Sequence, residues 1–443
     1  MDLRDFIVTP VVIIIVYALA YVVRPRVTDH VTRLYFIPAL TVKIIGALAV
    51  GLVYQFYYNG GDTFNYHTHG SRHVWEAFMD SPQSGLKLLF GDGKDETGIY
   101  SYSSKILFFS DPSSYTIVRI AGLADLFTFS TYSATAVLFA VFSFVGMWMF
   151  FLTFYEEYPH LSKWLAGAAF FIPSVFFWGS GLLKDTITLG CLGMATHCVH
   201  KIFIRRQFAF WRWLVLGISF WGLYQIKIYI LLVYLPAAII WIFLANIQRL
   251  QSLIIKIMIF PFMAFGAGAL AYMAMIKAGE DNAKYSIESV GKTAQVTAYD
   301  IRYFTGRDAG SGYTLGELDG SLASMFALAP LAINVSLFRP YLWEVNNPLM
   351  LLSAIESFLL LMACVIILFK QNVRLLKGMI NPDSVFSLSF SLVFAFAVGV
   401  STYNFGTLVR YKIPMLPFLV LALVLVTYYS KRERNVEAFD ATE

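Results

Sequence analysis

The chain has 443 residues and a formal net charge of +5; 58% are hydrophobic, 17% aromatic and only 14% charged, with a mean hydropathy of +0.65. Soluble domains carry roughly a quarter charged residues. Here the deficit runs the whole length of the chain, which excludes a soluble fold, indicates a polytopic membrane protein surrounded by membrane lipids, and leaves no reason to expect a nucleic-acid partner. The three cysteines, Cys191, Cys198 and Cys364, lie in apolar stretches and read as small apolar fillers, not as a disulfide framework or a metal knuckle.

Apolar runs of about 17–25 residues mark spanning helices. They fall at 6–23, 35–57, 131–154, 164–179, 185–204, 211–226, 228–246, 253–276, 349–369, 384–400 and 412–430. The expected fold is therefore all-α, a transmembrane bundle of about 11 spans in one integral-membrane domain over residues 1–443. The first run lacks a basic leader and a small-residue cleavage site, so it reads as a span and not a cleaved signal. A continuous helix from Trp211 to Asn246 would be roughly 54 Å long, against a hydrocarbon core of about 30 Å. A turn near Lys227, separating two short spans, is the expected solution. The stretch 322–337 is short and interrupted by Pro330, and reads as a re-entrant or interfacial helix.

Basic residues set the expected orientation. Arg24, Arg26 and Arg33 precede the second span; Lys201, Arg205, Arg206 and Arg212 follow the fifth. Arg249 and Lys256, then Lys370, Arg374 and Lys377, then Lys431, Arg432 and Arg434 close later spans. If all face the cytoplasm, the spans alternate with the N-terminus outside and the C-terminus cytoplasmic, as in a bacterial inner membrane. Two polar regions, 58–130 and 277–348, then form one outer, candidate active-site face, joined by the turn 179–185 and the loop 403–412. An amphipathic piece near 113–130 suits the membrane surface better than a span.

On that face each polar group has two readings. Asp62 follows two glycines and precedes an expected helix over 63–78, where it either caps the helix or serves as a general base. Tyr66 and His67 follow on the same segment, and one of the local histidines would hydrogen-bond a substrate. His69 and His73, four apart, could hold a divalent metal with Asp62, but no fourth ligand or fixed motif supports one, so no cofactor is assigned. Lys184 and Asp185 open the fifth span, Asp185 complementing the helix N-terminus and Lys184 either snorkelling or binding a lipid phosphate. Arg339 and Glu344, flanking Pro340 and Trp343, form either a structural ion pair or part of a site. Glu356 lies about two turns inside a span, where a carboxylate needs a partner or a polar cavity. Lys43 and His197 read as snorkelling and packing residues. Arg410 and Lys412 violate the positive-inside pattern at the start of the last span, as contacts for lipid headgroups or for a phosphate or pyrophosphate leaving group.

These residues together resemble the GT-C class of integral-membrane glycosyltransferases, including protein mannosyltransferase and lipid A aminoarabinose transferase relatives. Gly60-Gly61-Asp62 through Tyr66-His67 resembles the acidic first outer loop of that class. Pro173-Ser174 through Trp178, with Gly181 and Lys184-Asp185, is similar to its middle helical hairpin, and Arg410-Tyr411-Lys412-Ile413-Pro414 to its Arg-Tyr-x-x-Pro entry to a late helix. Arg339-Pro340 with Trp343-Glu344 is similar to uncharacterised bacterial membrane proteins. The chain departs from the class in carrying one Asp in the first loop where many members have an acidic pair.

The resemblance implies inverting transfer of a sugar from a polyprenyl-phosphate or pyrophosphate donor to a hydroxyl on a saccharide, lipid or protein acceptor at the outer face. It implies Asp62 as the base, with Lys184, Arg410 and Lys412 neutralising the departing lipid phosphate. Two other readings stay open. An O-antigen-type polymerase or ligase would use Arg302 and Arg307 on the late outer loop. A transporter or flippase would place charged residues deep in several spans and break its helices in two related halves.

Overall fold

A computed structural model describes residues 3–91, 97–247, 295, 296, 299, 312, 313, 315, 322–371 and 374–440, excepting the side chains of 322, 323 and 433–440. The described residues are helical throughout, apart from turns and one isolated antiparallel bridge between Gly312 and Asn404. They form two compact units, residues 1–198 with 208–228, and 199–207 with 229–443.

The first unit begins with α1 (Leu3–Val27) and α2 (Arg33–Phe56), followed by α3 (Asp62–Tyr66), a π-helical turn (His67–Ser71), α4 (Arg72–Asp80), α5 (Pro82–Phe90) and α6 (Tyr100–Ser103). Then come α7 (Pro112–Thr128), α8 (Tyr132–Tyr155), α9 (Ser162–Phe170), α10 (Pro173–Trp178), α11 (Lys184–Val199) and α12 (Phe210–Ile247), whose first part to Ile228 belongs here. α8 is the central element, packing along α2, α1 and α9. Its aromatic side interlocks with them: Phe36 meets Trp148 edge-on at 4.8 Å and Trp148 stacks on Phe170 at 5.7 Å. Such ring pairs add about 0.5–1.5 kcal/mol each beyond their buried area. α8 and α11 approach to backbone contact, because a Cβ on Gly146 would lie 2.1 Å from the Gly190 carbonyl oxygen. Small residues at a crossing are how apolar helices associate where lipid is as apolar as leucine.

The second unit contains the rest of α12, then α13 (Leu322–Ala327), α14 (Ala329–Phe338), α15 (Pro348–Gln371), α16 (Arg374–Met379), α17 (Pro382–Ser401), α18 (Phe405–Tyr411) and α19 (Leu416–Asp440). α17 lies against α14 and α19. Its buried side carries Phe386, Phe390 and Phe394, and Phe386 stacks on Trp241 at 4.2 Å.

Seven described helices are long and apolar enough to cross a membrane, and eight if α18 and α19, bent by 66°, count as one broken span. Two of them leave most of their apolar surface facing outward: only 17% of the apolar window of α1, and 17% of that of α15, is buried within the protein. A chain that leaves so much apolar surface uncovered requires lipid around it. It is an integral, multi-pass membrane protein.

The expected count of 11 is corrected at two places, and a third lies outside what the structure describes. Residues 164–179 are not one span, because the chain leaves helical geometry at Phe171 and Ile172 and makes the separate helices α9 and α10. Residues 211–246 form one run, α12, with non-helical φ/ψ (−147°, 75°) at Lys227. The expected run 253–276 lies outside the described residues. α7 forms as expected and is not among the candidate spans, and 322–337 forms the short helices α13 and α14.

Candidate functional site

The Gly-Gly-Asp segment is built by an abrupt stop. α2 ends at Phe56, and Asn59, Gly60 and Gly61 follow at φ 54°, 129° and 117°. Side chains rarely tolerate the two glycine values, and a Cβ on Gly61 would sit 3.0 Å from the Tyr54 ring. The turn therefore needs its glycines. Gly61 occupies the N-cap position without a side-chain cap, and Asp62, half-buried, is the first residue of α3. The capping alternative for Asp62 is thus not realised. The expected helix over 63–78 is interrupted by the π-helical turn, where His69 departs from helical geometry (φ −101°, ψ 22°). Such turns concentrate at functional positions.

A cavity of about 350 Å³ opens beside this turn. Asp5, Gln55, Asn59 and Gly60 line one part of it; Phe64, Thr68, His69, Arg72 and Tyr132 complete it. Asp5 is held by the backbone N–H of Ser133, which donates to it at 2.9 Å. Phe64 stacks on Tyr132 at 4.6 Å, and the Tyr132 hydroxyl is fixed by Thr63 at 2.7 Å.

His67 does not line the cavity. It is fully enclosed, with Nε2 3.6 Å from Asp125 Oδ1 and its ring edge-on to Tyr132 at 5.5 Å. Asp125 accepts hydrogen bonds from Ser71 and Thr135, both at 2.6 Å, and Thr128 bonds Thr135. This buried polar cluster ties α7 and α8 to the π-helical turn. Tyr66 is buried too, its ring 5.2 Å from that of Phe108. His73 pairs with Glu76 at 2.8 Å, and no metal-competent cluster of His, Cys, Asp or Glu occurs among the described residues.

The second feature of this unit is a cluster of lysines and carboxylates. Lys184, at the start of α11, pairs with Asp111 at 3.5 Å and is close enough to Asp62 and Lys227 to feel both charges. Asp111 caps α7, accepting from the backbone N–H groups of Ser113 and Ser114 and from the Ser114 hydroxyl. Burial works to raise the Asp111 carboxyl, but the Ser114 hydrogen bond, the Lys184 charge and the two backbone donors outweigh it and hold its pKa below the usual carboxylate value. Asp185 forms a buried ion pair with Lys227, the residue at the break in α12. At the same break the Ile226 carbonyl accepts from Ser113 at 2.8 Å. The break thus exchanges helical hydrogen bonding for contacts to α7 and α11.

Lys43 corrects an expectation. It does not snorkel: it is fully buried in α2 and donates to Ser143 at 3.0 Å and to the Gly179 carbonyl at 2.8 Å. Gly179 ends α10 and begins the turn that delivers Lys184. His197 packs as expected, hydrogen-bonded to Thr153 at 3.0 Å.

The remaining candidates belong to the second unit. Arg339 and Glu344 form a two-pronged ion pair, and the guanidinium lies 5.4 Å from the Tyr313 ring centre and 5.2 Å from that of Phe405. Lys412 is buried in the bend between α18 and α19, donates to Ser357 at 3.0 Å and is attracted by Glu356. A nearby cation favours a carboxylate at the depth of Glu356. Arg410, two residues before Lys412, is half-buried. Asp62, Tyr66, His67, Lys184 and Asp185 are thus in one unit, and Arg339, Glu344, Arg410 and Lys412 in the other. Arg302 and Arg307 lie outside the described residues.

Sequence reasoning missed Asp5, Gln55, Arg72 and Asp111. Asp111 had a signal, the Asp-Pro-Ser-Ser start of a helix. Asp5 and Gln55 had a weaker one, a polar residue at each end of apolar runs. No family model, curated protein or solved structure matches this chain.

Proposed function

We propose that the protein is a membrane glycosyltransferase of GT-C type, moving a sugar from a polyprenyl-linked phosphate or pyrophosphate donor to an acceptor hydroxyl at the outer face. The observation that carries the reading is the place of Asp62 at the end of the second span, next in the chain to the turn that lines a polar cavity and within electrostatic reach of Lys184. Asp62 would take the proton of the attacking hydroxyl. Lys184, paired with Asp111, would oppose the charge that develops on the leaving phosphate. Attack opposite the departing phosphate inverts the anomeric carbon.

The test uses purified protein in nanodiscs with a panel of polyprenyl-phosphate and polyprenyl-pyrophosphate sugars and a panel of saccharide, lipid and peptide acceptors, reading release of the polyprenyl phosphate or pyrophosphate. Release is expected from at least one donor and lost in Asp62→Asn without change in unfolding midpoint. Absence of release from every donor, or full release by the variant, would sink the reading.

A second reading, transport of a charged solute, is favoured by one observation: lysines are buried at Lys43, at Lys227 and at the bend carrying Lys412, and two long elements are broken at those last two. Ionisable groups within spans commonly mark transport pathways. Solute uptake into proteoliposomes that is insensitive to Asp62→Asn would select it.

A further inference from the structure

The cavity beside the Gly-Gly-Asp turn has a wall chemistry that selects its ligand. None of its lining side chains is aliphatic, so a lipid tail or an apolar peptide has nothing to pack on. The formal charges of Asp5 and Arg72 cancel, so a bare anion or cation would meet an opposing group of its own sign. What remains is a polar lining, the carboxylate of Asp5, the carboxamides of Gln55 and Asn59, the guanidinium of Arg72, the imidazole of His69 and the hydroxyl of Thr68, together with the aromatic pair Phe64 and Tyr132. Carboxamides present donor and acceptor side by side, and carboxylate and guanidinium supply paired acceptors and paired donors. Vicinal hydroxyls, each both donor and acceptor, match that pattern, and the C–H face of a pyranose matches an aromatic surface.

Size and backbone agree. About 350 Å³ is at the lower end of small-molecule pockets, which suits a single ring better than a chain of them. A Cβ added to Gly60 would meet nothing within 4 Å, so the turn opens onto this space instead of packing against a neighbour.

We propose that this cavity binds one neutral sugar ring, with Asp5, Gln55, Asn59 and Arg72 bonding its hydroxyls and Phe64 and Tyr132 covering its apolar face. The sugar's role as a substrate rests on the transferase reading; its binding does not.

The test is saturation-transfer NMR on the full chain in nanodiscs, with the methyl glycosides of glucose, galactose, mannose and N-acetylglucosamine as probes and inorganic phosphate as the anionic control. Transfer to at least one glycoside is expected, with no competition by phosphate. The apparent Kd should rise about tenfold in Gln55→Leu and in Asn59→Gly. The second variant keeps the positive φ that Asn59 adopts, so the turn survives where a larger residue would strain it. Monodisperse elution and an unchanged unfolding midpoint qualify each variant, and Thr68→Val replaces either that fails them. No transfer to any of the four glycosides, displacement by phosphate, or unchanged Kd in the qualified variants overturns the proposal. Polyprenyl-phosphate release is measured on the same preparations. Glycoside binding without release from any donor removes the transferase reading alone. Release without glycoside binding removes the sugar cavity alone.

Discussion

Lys227 and Asp185 form an ion pair shut away from solvent, with side chains 8% and 1% exposed, and Lys227 supplies it from the one residue of α12 with non-helical backbone. The pair joins the break in α12 to the first turn of α11. Removing either partner would strand a buried charge, at a cost of about 3–5 kcal/mol. Asp185→Asn and Lys227→Met should each lower the unfolding midpoint in detergent strongly. Asp185→Leu with Lys227→Met should recover much of that loss, since well-packed apolar residues commonly replace a buried pair without penalty. A double variant as unstable as the sum of the singles would show that the pair is not a unit.

Asp62 and Lys184 should separate by kinetics. With a functional donor assay, Asp62→Asn should lower kcat by about 100-fold or more, the usual scale of a general base. Lys184→Ala should lower kcat/KM most for donors with a pyrophosphate linkage. Equal small losses in both would indicate a role in folding only.

Acid should destabilise the protein through identifiable carboxylates. In the turn between α1 and α2, burial raises the Asp29 carboxyl, but hydrogen bonds from the Thr32 N–H, the Tyr155 and Thr32 hydroxyls and the Val31 N–H lower it to about 2. Asp111 is shifted in the same direction. A carboxylate with a depressed folded pKa contributes stability above its unfolded pKa and loses it as pH falls through the folded value. The unfolding midpoints of wild type and Asp29→Ala should therefore differ at pH 6, and the difference should shrink as pH falls from about 4 through about 2. A difference at pH 2 as large as that at pH 6 would locate the effect elsewhere.

Lys43→Met should cost less than about 1 kcal/mol, because the Gly179 carbonyl keeps its second donor, Ser143 at 2.7 Å, and Met fills a similar volume. The unfolding midpoint checks this. Lost activity with retained stability would assign Lys43 a part in function.

Arg339→Lys should destabilise the second unit by about 1–3 kcal/mol, since a point charge replaces the forked pairing with Glu344 and the flat contact with the Tyr313 and Phe405 rings. Glu344→Gln should cost less than Arg339→Ala, which strands the carboxylate. Denaturant midpoints of the three variants give the order.

Much of the fold was readable from the chain because membrane spans are written locally. Predominantly apolar stretches of about twenty residues, as in α1, α2 and α15, need no distant partner to declare themselves. The reading failed where the decision was not local. At 164–179 hydropathy saw one apolar run, but the backbone leaves helical geometry at Phe171 and Ile172. At 211–246 length argued for a turn near Lys227 between two spans; the chain does leave helical geometry at Lys227, but as a break within one run, and the Ile226 carbonyl at the break is taken up by Ser113, over a hundred residues earlier. The site divides similarly. Gly60, Gly61 and Asp62 were legible because positive φ and a carboxylate at a span end are local facts. The cavity was not, since Asp5, Gln55, Arg72 and Tyr132 come from four separate elements.

The sequence by itself determined that this is a multi-pass helical membrane protein, where most of its spans run, and that a glycine turn presents Asp62 at the end of the second; these follow from hydropathy and backbone sterics, which act within a few residues. Only the tertiary structure decided that Lys43 is buried, that Lys184 answers to Asp111 and Asp62, and that Asp185 holds the break at Lys227. A charge in a medium of low dielectric is governed by whichever opposite charge or dipole the fold brings within a few ångströms, and the order of residues along the chain does not carry that distance.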